Sequence, residues 1–221
     1  MWPRSWALSC LILLLTISVS GATAAPFPSA NIVWQKTIGG LADDAGYSME
    51  RTQDGGWVIA GVTNSREGDC KTNHGRRDGL LVKFDSAGTV QWVKCYGDAE
   101  DDGFNSVAVT ADGGYIAAGY TNLSRASDTR YHGGSDLWVV KISSSGAVQW
   151  EQCYGGNGED MAGTIRQTLL GDYIVLGTTT SFNNGDVKGF LGESDTWLIR
   201  ISSTGTLAWQ KCLGGQGEDL G

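Results

Sequence analysis

Several residue types that active sites depend on are scarce in this sequence. Only two of its 221 residues are histidine, His74 and His132, and no Ser-His-Asp or paired-carboxylate set stands out. Sixteen lysines and arginines stand against 24 acidic residues, for a formal net charge of −8. An acidic chain repels a polyanion, so the composition argues against a nucleic-acid partner. We therefore expect no catalytic residues in this chain and no nucleic-acid binding.

Proline is also scarce, and the only long apolar run lies at the N-terminus. With three prolines, 33 glycines and nine tryptophans, the composition suits a turn-rich all-β protein. The apolar run, from about Trp6 to Val19, follows Arg4 and leads to the small residues Ala22 and Ala24. This order predicts a secretory signal peptide over residues 1–24. A membrane anchor is the alternative, but the run is short for a bilayer span. We expect a secreted or cell-surface protein with no membrane span after cleavage.

Four tryptophans mark an internal repeat. They lie 58, 58 and 59 residues apart, and most of the sequence between them recurs in the same order. A fixed period of this kind indicates that each copy is one structural unit stacked on the next. Turns such as Asp112-Gly113-Gly114 separate the apolar segments of each copy, and Asp-Gly favours a tight hairpin because glycine accepts a positive φ. The four tryptophans are Trp34, Trp92, Trp150 and Trp209.

Each copy contains four strand patterns. The second is a run of apolar and small residues, which indicates a strand buried on both faces, and its inner glycine (Gly119 in the second copy) lets a neighbouring chain approach closely. Four such strands repeated at even spacing are typical of a β-propeller. The segment Ile32–Thr37 matches a fourth strand and predicts an orphan N-terminal strand, while residues 209–221 begin a partial fourth repeat. Within residues 25–221 we predict three four-stranded antiparallel blades, at about 47–95, 105–153 and 163–212.

The repeat also resembles a known family. Its pattern, W-x-K-x-x-G-G … D-G-G-Y-I-x-x-G … D-x-W-V-V-K, is similar to the β-propeller repeats of large secreted or surface-anchored prokaryotic proteins. Residues Trp150–Gly156, Asp112–Gly119 and Asp136–Lys141 match it best. The loop Gly68–Gly75 resembles that family's G-D-x-x-x-N-H-G segment. The resemblance covers nearly all of the chain after the leader. It implies secretion and a surface or scaffolding role, and it transfers no catalytic residue.

Three blades do not complete a ring. Closure normally takes at least four, and an open array exposes unpaired strand edges. An orphan fourth strand at the N-terminus is what a propeller uses to complete its last blade, yet the third blade already has its own at Leu207–Cys212. We expect the chain to be a fragment of a larger ring, the N-terminal piece of a longer protein. Association into an oligomer is the alternative source of the remaining blades.

The four cysteines after the leader are expected to be thiols. Cys95, Cys153 and Cys212 occupy one repeat position. Equivalent points on neighbouring blades lie too far apart for a disulfide, which needs Cα atoms within about 7 Å. We predict three small buried thiols at these positions and one loop thiol, Cys70.

An acidic cluster lies in the connector that follows each fourth strand. Around a ring, these clusters would place carboxylates at one height on every blade, and calcium prefers several oxygen ligands. Alternatively, short acidic side chains accept hydrogen bonds from backbone N–H groups in turns. The spacing matches no calcium loop, which favours the turn role. Calcium is the one cofactor for which the sequence offers candidates, namely Asp44, Asp102, Asp160 and Asp219.

The loops between the second and third strands vary most and contain both histidines. Loops that protrude from a rigid scaffold usually carry binding residues. A two-histidine metal site would need side chains from different blades to converge, and no Glu or Cys at ligand spacing supports one. The aspartates just before each third strand, such as Asp136, are expected to cap that turn. We predict a recognition surface for a glycan or a protein, with a solvated rim as the alternative. The candidate binding residues are His74, Arg76, Arg77, Arg130, Tyr131 and His132.

These observations favour a secreted, non-enzymatic β-propeller module with a binding or structural role in a larger extracellular or cell-surface protein. A propeller enzyme is one alternative. Asp85, Gly88 and Trp92 resemble the strand turn of quinoprotein propellers, and Thr52–Trp57 resembles the Asp-box turn of sialidase-like glycosidases, but both matches are partial. A carbohydrate-binding module that uses the variable loops is the other alternative.

Overall fold

Twelve β-strands make up the regular structure. The computed structural model describes residues 31–122 and 131–221, so the predicted signal peptide at residues 1–24 and the candidate binding residue Arg130 lie outside the described residues. Within those ranges no helix is long and apolar enough to cross a membrane. All the strands belong to one unit, Trp34–Gly221. They are β1 (Asp44–Arg51), β2 (Trp57–Thr63), β3 (Asp78–Phe84), β4 (Val90–Tyr96), β5 (Asp102–Val109), β6 (Tyr115–Thr121), β7 (Asp136–Ile142), β8 (Val148–Tyr154), β9 (Asp160–Gln167), β10 (Tyr173–Thr179), β11 (Asp195–Ile201) and β12 (Leu207–Leu213).

The strands pair as three four-stranded antiparallel sheets, which confirms the predicted all-β class and the four strands of each repeat. The first sheet has the order β1-β2-β3-β4, the second β5-β6-β7-β8 and the third β9-β10-β11-β12. Each strand pairs with its neighbour in the sequence. Each sheet is therefore a meander built from one repeat.

The first strand of each sheet starts three residues earlier than the sequence pattern indicated. In all three sheets its pairing with the second strand shifts by one residue. Such a bulge interrupts the alternation of side chains between the two faces of the sheet. The three residues before the bulge therefore break the alternating pattern, and the sequence pattern did not include them in the strand. The bulged residues are Tyr47, Asn105 and Gly163.

The inner glycine of the second strand accommodates this irregular pairing. A Cβ atom added at Gly119 would overlap the carbonyl oxygen of Gly103 in β5, and the equivalent Gly61 and Gly177 would overlap carbonyl oxygens in β1 and β9. The close approach predicted from this glycine is confirmed. The chain that approaches is the first strand of the same sheet.

The second sheet is buried on both of its faces. One face packs Phe104 and Val107 against Val58 of the first sheet. The other packs Ile116 and Val139 with apolar residues of the third sheet. Hydrogen bonds join the first strands: Val107 N–H donates to Ser48 Oγ and Ile165 N–H donates to Ser106 Oγ, both at 3.2 Å. The three sheets therefore stack in chain order around these strands.

Tyrosines at the ends of the fourth strands add a second contact between neighbouring sheets. The hydroxyl of Tyr96 donates to the carbonyl oxygen of Gly146 at 2.9 Å, and that of Tyr154 donates to Gly205 at 2.5 Å. Each glycine lies in the turn between the third and fourth strands of the next sheet. The end of one repeat is thus attached to the next.

The predicted orphan strand at Ile32–Thr37 does not form as a hydrogen-bonded strand, so this prediction is corrected. Residues 31–43 have no regular secondary structure. A fourth strand pairs only with the third strand of its own sheet, and each of the three third strands already has that partner. Among the described residues, the segment therefore has no third strand without a partner to join.

The prediction of four thiols is wrong for two cysteines. Cys70 and Cys95 form a disulfide, with Cα atoms 6.3 Å apart. The prediction compared only equivalent positions on different repeats. It missed the loop after β2, which carries Cys70 back over β4 of its own sheet. Cys153 is buried and Cys212 is half-buried.

Candidate binding site at the junction of the second and third sheets

A polar cleft of about 330 Å³ opens where the second and third sheets meet. Strand β8 and the turn between β11 and β12 form its walls, and the loops before β7 and β11 contribute His132 and Asp186. We call this the junction cleft. Strand residues, a hairpin turn and two variable loops share its wall, and loops on a rigid scaffold commonly carry binding residues. Its lining residues are His132, Gln152, Cys153, Tyr154, Asp186, Thr204, Gly205, Thr206 and Leu207.

His132 lies between two aspartates. Its backbone N–H donates to Asp136 Oδ2 at 3.0 Å, and its Nδ1 lies 2.9 Å from the same oxygen. Asp136 is fully buried at the first position of β7. On the other side of the ring, Nε2 lies 3.8 Å from Asp186 Oδ2. An ionised Asp136 accepts a hydrogen bond from the Nδ1–H of His132, and this orientation of the ring leaves Nε2 facing Asp186 and the cleft.

A pair of buried carboxylates lies next to this histidine. Burial raises the pKa of Asp136 to about 6, although the hydrogen bonds and charge of His132 lower it. Burial also raises the pKa of Asp160, against hydrogen bonds from Thr179 and Ser181. An ideal Cβ at Gly155 would lie 3.1 Å from Asp136 Oδ1 and 2.5 Å from Asp160 Oδ2, so the two carboxylates are close. Asp136 Oδ1 has no hydrogen-bond partner among the described residues.

The functional groups of the junction cleft suit a polar ligand. The hydroxyls of Thr204 and Thr206, the amide of Gln152 and the carboxylate of Asp186 all line it. These groups can donate and accept hydrogen bonds, as a ligand rich in hydroxyl groups requires. No serine or threonine hydroxyl of the described residues is hydrogen-bonded to His132, whereas a nucleophile is commonly activated by such a contact.

The histidine–aspartate pair recurs in the first repeat and is broken in the third. His74 Nδ1 lies 2.7 Å from Asp78 Oδ2, and its backbone N–H donates to that oxygen at 3.0 Å. In the third repeat the backbone N–H of Leu191 donates to Asp195 Oδ2 at 2.9 Å. The predicted turn-capping role of this aspartate is confirmed in all three repeats. Among its described contacts, His74 has no second carboxylate that corresponds to Asp186 beside His132.

The two candidate binding arginines of the first repeat, Arg76 and Arg77, lie at the other junction, between the first and second sheets. Arg77 donates to the hydroxyl of Tyr120 and to Asn64 Oδ1, both at 3.3 Å, and the Tyr120 contact raises the pKa of Arg77. Arg76 is exposed and lies 3.7 Å from a carboxylate oxygen of Glu100. Arg77 thus links the first and second sheets through hydrogen bonds, whereas the side chain of Arg76 is exposed and makes one longer ion-pair contact.

The predicted binding residues are not gathered into one site. Arg76 and Arg77 lie at the junction of the first and second sheets and His132 lines the junction cleft, whereas the described hydrogen bonds of His74 and Tyr131 stay within their own repeats. The hydroxyl of Tyr131 donates to the carbonyl oxygen of Gly134, which fixes it near its own loop.

The connector aspartates are used within turns. Each accepts a hydrogen bond from the backbone N–H four residues earlier, at 2.7–2.9 Å. Thr63 and Thr179 donate to the first and third of them. Among the described residues, no three His, Cys, Asp or Glu side chains lie together as a metal site. Calcium binding stays a prediction for these residues, which are Asp44, Asp102, Asp160 and Asp219.

Sequence reasoning missed part of the junction cleft. Asp186 lies in a loop that the sequence marked as variable, but its relation to His132 is not visible in any spacing, because the two residues belong to different repeats. Gln152 and Thr206 lie in a strand and a short turn that looked purely structural. Only the packing of one sheet on the next brings these groups together.

No protein-family model matches the chain. It is 25% identical over 213 residues to the regulatory protein FlaEY of Caulobacter vibrioides, an alignment that covers 87% of this chain and 21% of that protein. The chain thus spans about a fifth of the length of this curated relative. Among solved structures, it is similar to a protein of unknown function from Bacteroides caccae, with a TM-score of 0.37, 13% identity, and coverage of 83% of this chain and 73% of the other.

Proposed function

We propose that this chain is a secreted, non-enzymatic β-propeller module, in which the three sheets are blades. The observation that carries the proposal is the second sheet, which is buried on both faces between two sheets of the same construction. An inner blade of a propeller has this environment, whereas antiparallel sheets elsewhere commonly leave one face in water. The contacts of β5 with both β1 and β9 agree with first strands that surround a common axis.

The module needs further blades to form a ring, and we propose that these come from additional sequence or from association with other chains. Uncovered blade faces promote aggregation, so the working protein needs further blades that cover the outer faces of these sheets. Size-exclusion chromatography with light scattering tests this point. A stable, well-behaved folded monomer of this chain alone would contradict both sources of blades.

The role that we propose for the module is binding or structural, within a larger extracellular or cell-surface protein. Secretion is the simplest part to test. Expression with the native leader, followed by N-terminal sequencing of the exported protein, is expected to give a first residue near Ala25. Retention of residues 1–24 on a membrane-bound product would contradict it.

The junction cleft is the binding site that we propose, and a glycan is the ligand class that its hydroxyl, amide and carboxylate groups favour. A glycan array followed by titration calorimetry tests this. Asp186→Asn and Thr206→Val are expected to weaken binding of a positive glycan by about tenfold each, since each removes a polar contact worth roughly 1–1.5 kcal/mol. His74→Ala, which alters the equivalent histidine of the first repeat, is the matched control and is expected to leave the affinity unchanged. Equal losses in all three variants would argue against this cleft.

A further inference from the structure

Acidic groups outnumber basic ones at the junction cleft. Among its lining residues, Asp186 is the one carboxylate, and there is no lysine or arginine. His132 is the one lining side chain that can become cationic, and its Nδ1 is already hydrogen-bonded to the fully buried Asp136. A second fully buried carboxylate, Asp160, lies close to Asp136. The cleft therefore favours a positively charged ligand group over a negatively charged one.

Asp186 has spare capacity as a hydrogen-bond acceptor. Its Oδ2 accepts one long hydrogen bond, from the N–H of Gly155 at 3.3 Å, and lies 3.8 Å from Nε2 of His132. An ionised carboxylate can accept about four hydrogen bonds. Lys188, in the same loop, donates to the carbonyl oxygen of Gly185 at 3.2 Å and forms no ion pair with Asp186. The side chain of Asp186 is 29% exposed, so a ligand can reach its free oxygen.

Two further groups of the cleft are available to a ligand. The amide of Gln152 and the hydroxyl of Thr206 line it, and neither has a hydrogen-bond partner among the described residues. The hydroxyl of Thr204, in contrast, lies 3.0 Å from that of Ser202. An amide and a hydroxyl can both donate and accept, so they suit the neutral hydroxyl groups of a sugar. Asp186 can only accept when ionised, which favours a charged donor at its position.

We propose that the junction cleft recognises a glycan whose sugar rings carry free amino groups, and that Asp186 selects the amine. This inference rests on the proposed function, in which a glycan occupies the cleft. A protonated amine donates a charge-assisted hydrogen bond to Asp186, and such bonds are roughly twice as strong as those between neutral groups. Negative charge on the buried Asp136 and Asp160 acts at longer range in the same direction. A sugar with a carboxylate or sulfate group at this position is repelled.

Three oligosaccharides with one backbone test this selection. Linear tetramers of glucosamine, N-acetylglucosamine and glucose with the same β-linkage differ in one group on each ring, which is an amine, an acetamide or a hydroxyl. Titration calorimetry with the full chain, at a pH where the amines are protonated, is expected to show about tenfold tighter binding of the glucosamine tetramer than of the glucose tetramer. The neutral acetamide tetramer is expected to bind no more tightly than the glucose tetramer. Added salt is expected to narrow the difference, because it screens a partly exposed charge pair.

Two results of this titration would overturn the inference. One is equal affinity for the glucosamine and glucose tetramers, or a preference for the acetamide. The other is a glucosamine tetramer that does not bind at all.

Matched variants identify the residue that selects the amine. Asp186→Asn keeps an oxygen that can accept the Gly155 N–H and removes the charge. It is expected to weaken binding of the glucosamine tetramer by about tenfold and of the glucose tetramer by no more than about threefold, so most of the preference disappears. Asp69→Asn is the control, because Asp69 lies in the equivalent loop of the first repeat and accepts the N–H of Gly39 at 3.0 Å.

The control makes the same change in net charge outside the cleft. Asp69→Asn is therefore expected to leave both affinities unchanged. Equal losses in the two variants would show that the preference follows the net charge of the chain, and would overturn the assignment to Asp186.

The failure of this inference can be separated from failure of the proposed function. Suppose that Asp186→Asn and Thr206→Val weaken binding of a neutral glycan while the glucosamine tetramer has no advantage. The cleft is then a glycan site, and the amine selection alone is overturned. If no glycan binds at the cleft, both are overturned. A lysine tetramer provides the last comparison, because tighter binding of this peptide through Asp186 would assign the cleft to a protein side chain and overturn the inference.

Discussion

Replacement of the buried Asp136 tests the electrostatics of the junction cleft. Asp136→Asn keeps an oxygen that can accept the hydrogen bonds of His132, and its amide N–H₂ can donate towards the neighbouring Asp160. It also removes a negative charge from a fully buried position. The free energy of unfolding of the variant minus that of the wild type is therefore expected to be larger at neutral pH than in acid.

The magnitude follows from the pKa of Asp136, which burial raises from 3.8 to about 6. Below about pH 3.8 the carboxyl is protonated in both the folded and the unfolded state. Between pH 3.8 and about 6 the unfolded chain loses the proton and the folded chain keeps it, so the free energy of unfolding falls as pH rises. Two pKa units correspond to ~3 kcal/mol, which the asparagine variant does not lose.

Urea unfolding followed by tryptophan fluorescence, at pH values from about 3.5 to 7, measures this difference. The free energy of unfolding of Asp136→Asn minus that of the wild type is expected to rise by ~3 kcal/mol across the window. Asp54→Asn is the control. Its hydrogen bond with Lys83 holds the pKa of Asp54 well below 3.8, so its stabilisation is present above pH 3.8 and is lost only in stronger acid. A flat difference for Asp136→Asn, or one that falls as pH rises, would refute the reasoning.

Three further predictions concern stability and use the same unfolding assay. Cys70→Ser is expected to lower the free energy of unfolding by about 3 kcal/mol, because the Cys70–Cys95 disulfide closes a loop with a sequence separation of 25. In fully reducing buffer the wild type also lacks the bond, so an equal loss there on mutation would show that the bond is not the cause. Gly119→Ala is expected to cost about 3 kcal/mol, because the added methyl overlaps a backbone carbonyl, while Gly217→Ala, with open space around it, is expected to be nearly neutral. Tyr154→Phe is expected to cost about 1 kcal/mol through loss of its buried hydrogen bond to the next sheet, and no change would show that this bond contributes little.

The strands themselves were largely predictable from local patterns. Asp112-Gly113-Gly114 and its counterparts fixed the first hairpin of each repeat, and Gly113 does adopt a positive φ of 79°. The bulge at Asn105 was not predictable, because it is produced by the pairing of β5 with β6 and not by the strand's own alternation. The apolar runs correctly indicated burial on both faces for the second strand of the middle repeat, where neighbouring sheets cover it.

The sites were predictable only one residue at a time. The position of His132 in a variable loop marked it as a candidate, and the turn-capping role of Asp136 follows from its place before a strand. The approach of Asp186 depends on the packing of the third sheet against the second. Cys70 shows the same limit: the repeat correctly placed Cys95 in β4, but only the course of the intervening loop brings the two sulfur atoms together.

The sequence by itself determined the repeat, the four strands of each copy and their antiparallel order, because these depend on short-range periodicity and on turns that require glycine. The tertiary structure decided which residues meet across repeats. It alone showed the Cys70–Cys95 disulfide and the junction cleft around His132. These features are contacts between distant segments, whose energies come from burial and hydrogen bonding in three dimensions and leave no regular spacing in the chain.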